Sequence, residues 1–288
     1  MKKITLGVFL FVLFQSCVTQ RPKQVLTQSS NNKQSNVIQK VALLIGVSDY
    51  DGEKNDLNGI HQDIERMQEL LLGEGFKVTT LYDELSLGLV EQLQKYTQQL
   101  SNQDSFVFYY SGHGLNKKDI SGDESDGKDE MIVLSDGNEN KGLLDDELDY
   151  YFSRIKAKKL IIFDSCYSGT ASKSLGDGIQ VKAIPAKFVT SSFPIHKIQN
   201  LKSNTDYIVL SSSKENEKSL GTKKGSLFTK YFSEIFSEHK SESFTVVTNK
   251  VAKDISSFCK EHNRSSPHPT IEASNENLKE KSFRNYFK

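Results

Sequence analysis

Residues 40–47 read Lys-Val-Ala-Leu-Leu-Ile-Gly-Val, an apolar run that does not alternate. A strand with one face in water alternates polar and apolar side chains, so an unbroken run predicts a central strand of a parallel sheet, covered on both faces. Further strands are expected at 76–82, 105–110, 159–164 and 207–211. Between the first two, residues 56–72 place Leu57, Ile60, Ile64, Met67, Leu70 and Leu71 at helical spacing, with Gly73 and Gly75 as the stop. Helices are also expected at 86–101, 144–155, 226–237 and 246–262. Strand and helix in alternation predict an α/β fold, a doubly wound, mostly parallel central sheet with helices on both faces. Residues 173–205, rich in turn formers, Ser/Thr and scattered lysines, predict a long loop.

Charge excludes one class of partner. Thirty-seven Lys+Arg balance 37 Asp+Glu over 288 residues, without the basic excess that marks a nucleic-acid binder, so no nucleic-acid partner is expected. The balance conceals one acidic stretch: residues 119–149 hold twelve Asp/Glu against Lys128 and Lys141 only.

The N-terminus reads as an address. Lys2 and Lys3 precede an apolar run of 11 residues, Ile4 to Phe14, short of the roughly 20 needed to span a bilayer. Such a segment reads as an export signal at 1–17, and Ser16-Cys17 at its end resembles a bacterial lipoprotein cleavage box with Cys17 lipidated, although Gln15 stands where a small or aliphatic residue is usual; an ordinary secretory signal and an uncleaved anchor are the alternatives. Residues 18–39, rich in Gln, Ser and Asn, read as a flexible tether. The expectation is an exported, membrane-anchored bacterial lipoprotein at the periplasm or cell surface. Beyond the signal only Cys166 and Cys259 remain, too few for a disulfide framework. A folded domain at 40–262 follows, with a larger part at 40–172 and a smaller at 205–262, then a C-terminal extension at 263–288.

Two predicted strands end in reactive side chains. The strand at 105–110 runs into Ser111-Gly112-His113-Gly114, and the one at 159–164 into Ser165-Cys166-Tyr167-Ser168-Gly169. Ligands of open α/β sheets bind at the carboxyl ends of the strands, so both side chains reach one edge. A histidine beside a cysteine can activate the thiol and then protonate a leaving amine. The Gly114 and Cys166 N–H groups are placed to face an oxyanion. Alone, a cysteine after a strand is usually a small buried hydrophobe and a histidine among glycines a turn residue; together at matching strand ends they read as a catalytic pair.

At these residues the chain resembles the caspase-like cysteine peptidases, in particular the metacaspases and their bacterial relatives. The matching motifs are Ala42-Leu43-Leu44-Ile45-Gly46, Tyr109 to Gly114, the acidic run from Ser121 to Glu130, and Asp164-Ser165-Cys166-Tyr167-Ser168-Gly169, in the family's order over about residues 40–260. The resemblance implies a caspase-like sandwich fold and a His113–Cys166 dyad. It also implies cleavage of polypeptides after Arg or Lys, with Asp63, Ser111 and Asp164 lining the pocket for the basic side chain. Ile60 departs from the small residue or Cys expected there. Calcium is implied at Asp129, Asp145 and Asp146, although Lys173 stands near where a further acidic ligand belongs and Asp177 is the nearest substitute. Self-cleavage would fall at a lysine of the loop, Lys173, Lys182 or Lys187, and cleavage at Lys23 or Lys33 of the tether would release the domain. A monomer without organic cofactor is expected. The alternatives are a catalytically silent caspase-like interaction module tethered to a membrane, which has no need of both His113 and Cys166, and another thiol acyl-transfer hydrolase, which has no need of Asp63 and Asp164.

Overall fold

The computed structural model describes residues 37–118, 127–166, 178–191 and 205–288. Cys17, residues 18–36 of the tether, Lys173, Asp177 and residues 119–126 of the acidic run lie outside the described residues. In chain order the strands are β1 (Lys40–Gly46), β2 (Lys77–Tyr82), β3 (Ser105–Ser111), β4 (Gly114–Lys118), β5 (Lys128–Ser135), β6 (Asn140–Leu144), β7 (Lys158–Asp164), β8 (Gln180–Val181), β9 (Thr190–Ser191), β10 (Tyr207–Ser211), β11 (Leu220–Thr222), β12 (Gly225–Ser226) and β13 (Thr270–Ala273). The helices are α1 (Ile60–Gly73), α2 (Ser86–Gln99), α3 (Asp145–Arg154), α4 (Leu227–Glu238), α5 (Phe244–Glu261) and α6 (Phe283–Tyr286).

The apolar runs form one sheet in the order β13-β10-β7-β3-β1-β2. Its five sequence-predicted strands run parallel and β13 is antiparallel. Side chains along β3 alternate between two helical layers, as a strand buried on both faces requires. Phe106 and Phe108 meet Tyr96 of α2 and Phe152 of α3, while Tyr109 reaches Thr229 of α4. The expected helix at 56–72 begins only at Ile60, because Gly59 holds φ at +87° and residues 56–58 form a loop.

Three features lie beyond the sequence reading. Strands β4, β5, β6 and β9 make a second sheet, and β12, β11 and β8 a third, the last arising in part from the stretch expected to be loop. Residues 263–288, read as an extension, are built into the fold: β13 pairs with β10, and Phe283, Tyr286 and Phe287 are buried in the core. No helix among the described residues is long and apolar enough to cross a membrane.

Candidate active site

The site grows from the register of two central strands. Ser111 of β3 and Asp164 of β7 are register partners at the carboxyl ends, so His113 and Cys166 each follow their strand end by two residues. Both are fully buried. A side chain at 114 would press into the Cys166 carbonyl, its Cβ only 2.4 Å from the oxygen, which is why this crossing takes glycine.

His113 is held from three directions. Its N–H donates to the Tyr50 hydroxyl at 2.7 Å, the Tyr110 hydroxyl lies 2.7 Å from its carbonyl oxygen, and its Nε2 lies 2.6 Å from the carbonyl oxygen of Asn55. The Asn55 carbonyl takes the orienting role that a carboxylate fills in a triad. Nδ1 is left buried and without a hydrogen-bond partner among the described residues, the nitrogen available for proton transfer. Burial pushes the imidazole down to about 4, against the opposing pull of the Asn55 carbonyl. Burial pushes the Cys166 thiol up to about 12, and its Sγ donates to the Ser219 carbonyl at 3.3 Å. At neutral pH the pair is therefore a neutral imidazole and a thiol.

The structure brings Asp63, Ser111 and Asp164 together, and it adds a fourth group. Lys182, expected in an exposed loop, is 1% exposed. Its Nζ lies 3.5 Å from Asp63 Oδ2 and 3.2 Å from Asp164 Oδ1, and donates to Ser111 Oγ at 2.7 Å. The two carboxylates are braced from behind. Ser226 N–H and Ser111 Oγ donate to Asp63 at 2.8 and 2.9 Å, while Thr229 and Ser219 hydroxyls donate to Asp164 at 2.6 and 3.2 Å. Burial, outweighing the Lys182 charge, raises the Asp63 carboxyl above its ordinary range.

The main chain of Lys182 is equally engaged. Its carbonyl oxygen accepts from Gly114 N–H and Cys166 N–H, each at 3.1 Å, and its own N–H donates to the Ser219 carbonyl at 3.2 Å. Preceding it, β8 pairs antiparallel with β11, Val181 opposite Leu220 and Gln180 opposite Gly221. Two converging N–H groups on one carbonyl are what an oxyanion hole offers the bond to be cut. Residues 180–182 thus lie as an added strand, the Lys182 carbonyl on the Gly114 and Cys166 N–H groups and its ammonium between Asp63 and Asp164.

The residues expected to hold calcium lie on β5 and α3. Asp129 is buried on β5, opposite Lys117, and Asp145 and Asp146 occupy the first turn of α3, where the helix dipole favours acidic groups. Among the described residues no three His, Cys, Asp or Glu side chains are grouped to hold a metal ion. Sequence reasoning missed Asn55, Thr229, Ser219 and the role of Lys182. A main-chain acceptor leaves no mark in a sequence, and isolated serines and threonines carry no spacing signal.

Both the sequence and the fold resemble known proteins. Residues 39–279 match the family model described as the caspase domain. Metacaspase-1 of Meyerozyma guilliermondii is 32% identical over 150 residues, 46% of this chain and 36% of that protein, and Metacaspase-1 of Yarrowia lipolytica is 35% identical over 147, 46% and 32% respectively. The chain spans about a third of the length of these relatives. A solved protein of Geobacter sulfurreducens superposes with a TM-score of 0.67 at 21% identity, covering 85% of this chain and 98% of that one. Caspase-1 from Spodoptera frugiperda gives 0.55 at 14%, covering 82% and 86%. With its mostly parallel sheet, its strand-end His113 and Cys166 and a family match across most of its length, this chain belongs to the caspase-domain family of cysteine peptidases.

Proposed function

We propose that the protein is a cysteine endopeptidase that cuts after lysine or arginine, and that the first bond it cuts is its own Lys182–Ala183 bond. The observation that carries this reading is the pose of Lys182, with its ammonium between Asp63 and Asp164 and its carbonyl on the Gly114 and Cys166 N–H groups. Two buried carboxylates without a cation are costly, so a basic side chain entering the pocket is compensated by charge-assisted hydrogen bonds, and a guanidinium is able to span both. An acidic side chain would meet the Asp63 and Asp164 carboxylates instead.

The chemistry follows from the placements. Cys166 Sγ attacks the carbonyl carbon while His113 Nδ1 takes the thiol proton, and the oxyanion stays on the Gly114 and Cys166 N–H groups. The intermediate collapses to a thioester as the C–N bond breaks, with His113 returning the proton to the leaving amine. Water, deprotonated by His113, then hydrolyses the thioester. Because the thiol pKa lies far above neutral, nearly all of the occupied site is in the unreactive thiol form.

Fluorogenic Lys, Arg and Asp peptides, with and without added calcium, test the specificity, and mass spectrometry of the purified chain tests self-cleavage. Turnover of Lys and Arg peptides, new termini at Lys182 and Ala183, and loss of both in Cys166→Ala are expected. Turnover of the Asp peptide alone, or of none with no new termini, would sink the reading. We further propose that the chain is held at a membrane by a lipid on Cys17; incorporation of labelled palmitate that persists in Cys17→Ser would contradict this.

A further inference from the structure

The segment in the cleft engages a third subsite. One residue separates Gln180 from Lys182, and that residue, Val181, is buried against β11. The Gln180 side chain leaves the strand pairing and reaches the loop before α1. Asn58 N–H donates to its Oε1 at 2.9 Å, and its Nε2 donates to the Asp56 carbonyl at 3.2 Å. Both partners are main-chain atoms, so neither can rotate away.

The loop that presents them is held at several points. Tyr50 N–H donates to Asp56 Oδ1 at 3.0 Å, Leu57 N–H to the Ser48 carbonyl at 2.9 Å, and Asn55 supplies the carbonyl on His113. Gly59 closes it against main chain, since a Cβ there would lie 2.3 Å from the Thr222 carbonyl oxygen and 2.4 Å from Gly225 N. One donor and one acceptor, fixed two residues apart, match a carboxamide.

We propose that the cleft selects glutamine at the third residue before the scissile bond, read by Asn58 N–H and the Asp56 carbonyl. The proposal rests on the reading of Lys182 as the residue before that bond. A glutamate keeps the bond from Asn58 but sets a carboxylate oxygen against the Asp56 carbonyl. An asparagine is one methylene short, and an alanine or methionine makes neither bond. Leaving fixed polar groups unpaired is what gives such a site its discrimination.

Four fluorogenic peptides test it on the full chain: Ile-Gln-Val-Lys, Ile-Met-Val-Lys, Ile-Ala-Val-Lys and Ile-Glu-Val-Lys. Ratios of kcat/KM within one preparation cancel any common occupancy of the cleft by the chain's own segment. A preference for the glutamine peptide of about tenfold over methionine and alanine is expected, as two neutral hydrogen bonds provide, with glutamate no better than these. Equal turnover of the glutamine, methionine and alanine peptides would overturn the subsite and leave the basic pocket standing. Rejection of every lysine peptide alongside cleavage after another residue would overturn the pocket reading instead. Should no peptide be turned over, hydrogen exchange decides the matter in the Cys166→Ala background. There the Asn58 amide should exchange at least about fivefold faster once Gln180→Met removes its acceptor. Unchanged exchange would overturn the proposal.

Discussion

The protonation of His113 shows how much of this site is set by burial. Its pKa in the fold lies near 4, below the ordinary 6.5, because a buried imidazolium loses its hydration. A depressed value stabilises the fold above pH 6.5, and that contribution is lost as the pH falls towards 4. Asp63 works in the opposite sense, since its raised value favours the fold on the acid side and the benefit disappears as the pH rises through it. The two offset each other in the native chain, so the informative quantity is a difference. Urea midpoints of the native chain and His113→Gln should converge as the pH falls from 6.5 to 4, by up to about 3 kcal/mol; a constant gap would contradict a neutral buried histidine. Thr229 makes a second test. Its hydroxyl donates to Asp164 and lies 2.6 Å from that of Tyr109, so Thr229→Val leaves a buried carboxylate one donor short. A loss of about 1–3 kcal/mol in stability is expected, together with a raised KM for lysine peptides. His113 and Cys166 were legible because each ends a predicted strand. Thr229 and Asn55 were not, since each acts through a single hydrogen bond made across the fold.

At the scale of elements, the loop from Asn55 to Gly59 joins the contacts of Gln180 to those of His113. Asn55 orients His113, Asp56 and Asn58 bind Gln180, and Gly59 lets α1 start against the β11–β12 turn, which delivers Asp63 to the pocket. Gly59→Ala must adopt a left-handed φ and push back the Thr222 and Gly225 main chain. A stability loss of at least about 1–2 kcal/mol is expected, with a fall in kcat larger than that of Gly75→Ala, where φ is also positive but the space is open. Equal effects of the two substitutions would show that the close approach carries no catalytic consequence. The five parallel strands of the main sheet and helices α1 to α5 were readable from periodicity to within a few residues. The short strands β8, β11 and β12 were not, because two or three residues hold no period and pair only when the cleft brings them together.

For the whole molecule, the C-terminal residues decide where the folded unit ends. Phe283 packs on Phe76, Phe236 and Phe244, and β13 covers the β10 edge of the main sheet. Phe283→Ala should cost about 3–5 kcal/mol, and a chain ending at His262 should fail to show a cooperative urea transition. A truncated chain that unfolds like the full one would refute this assignment. The sequence alone settled the α/β class and placed His113 and Cys166 just past two strand ends, because apolar periodicity and position at a strand end are local properties. Tertiary structure alone decided what fills the pocket and how its groups are protonated. Asp63, Ser111, Asp164 and Lys182 come from separate parts of the chain, and only their shared burial makes a lysine in a polar stretch into the counter-ion of two carboxylates.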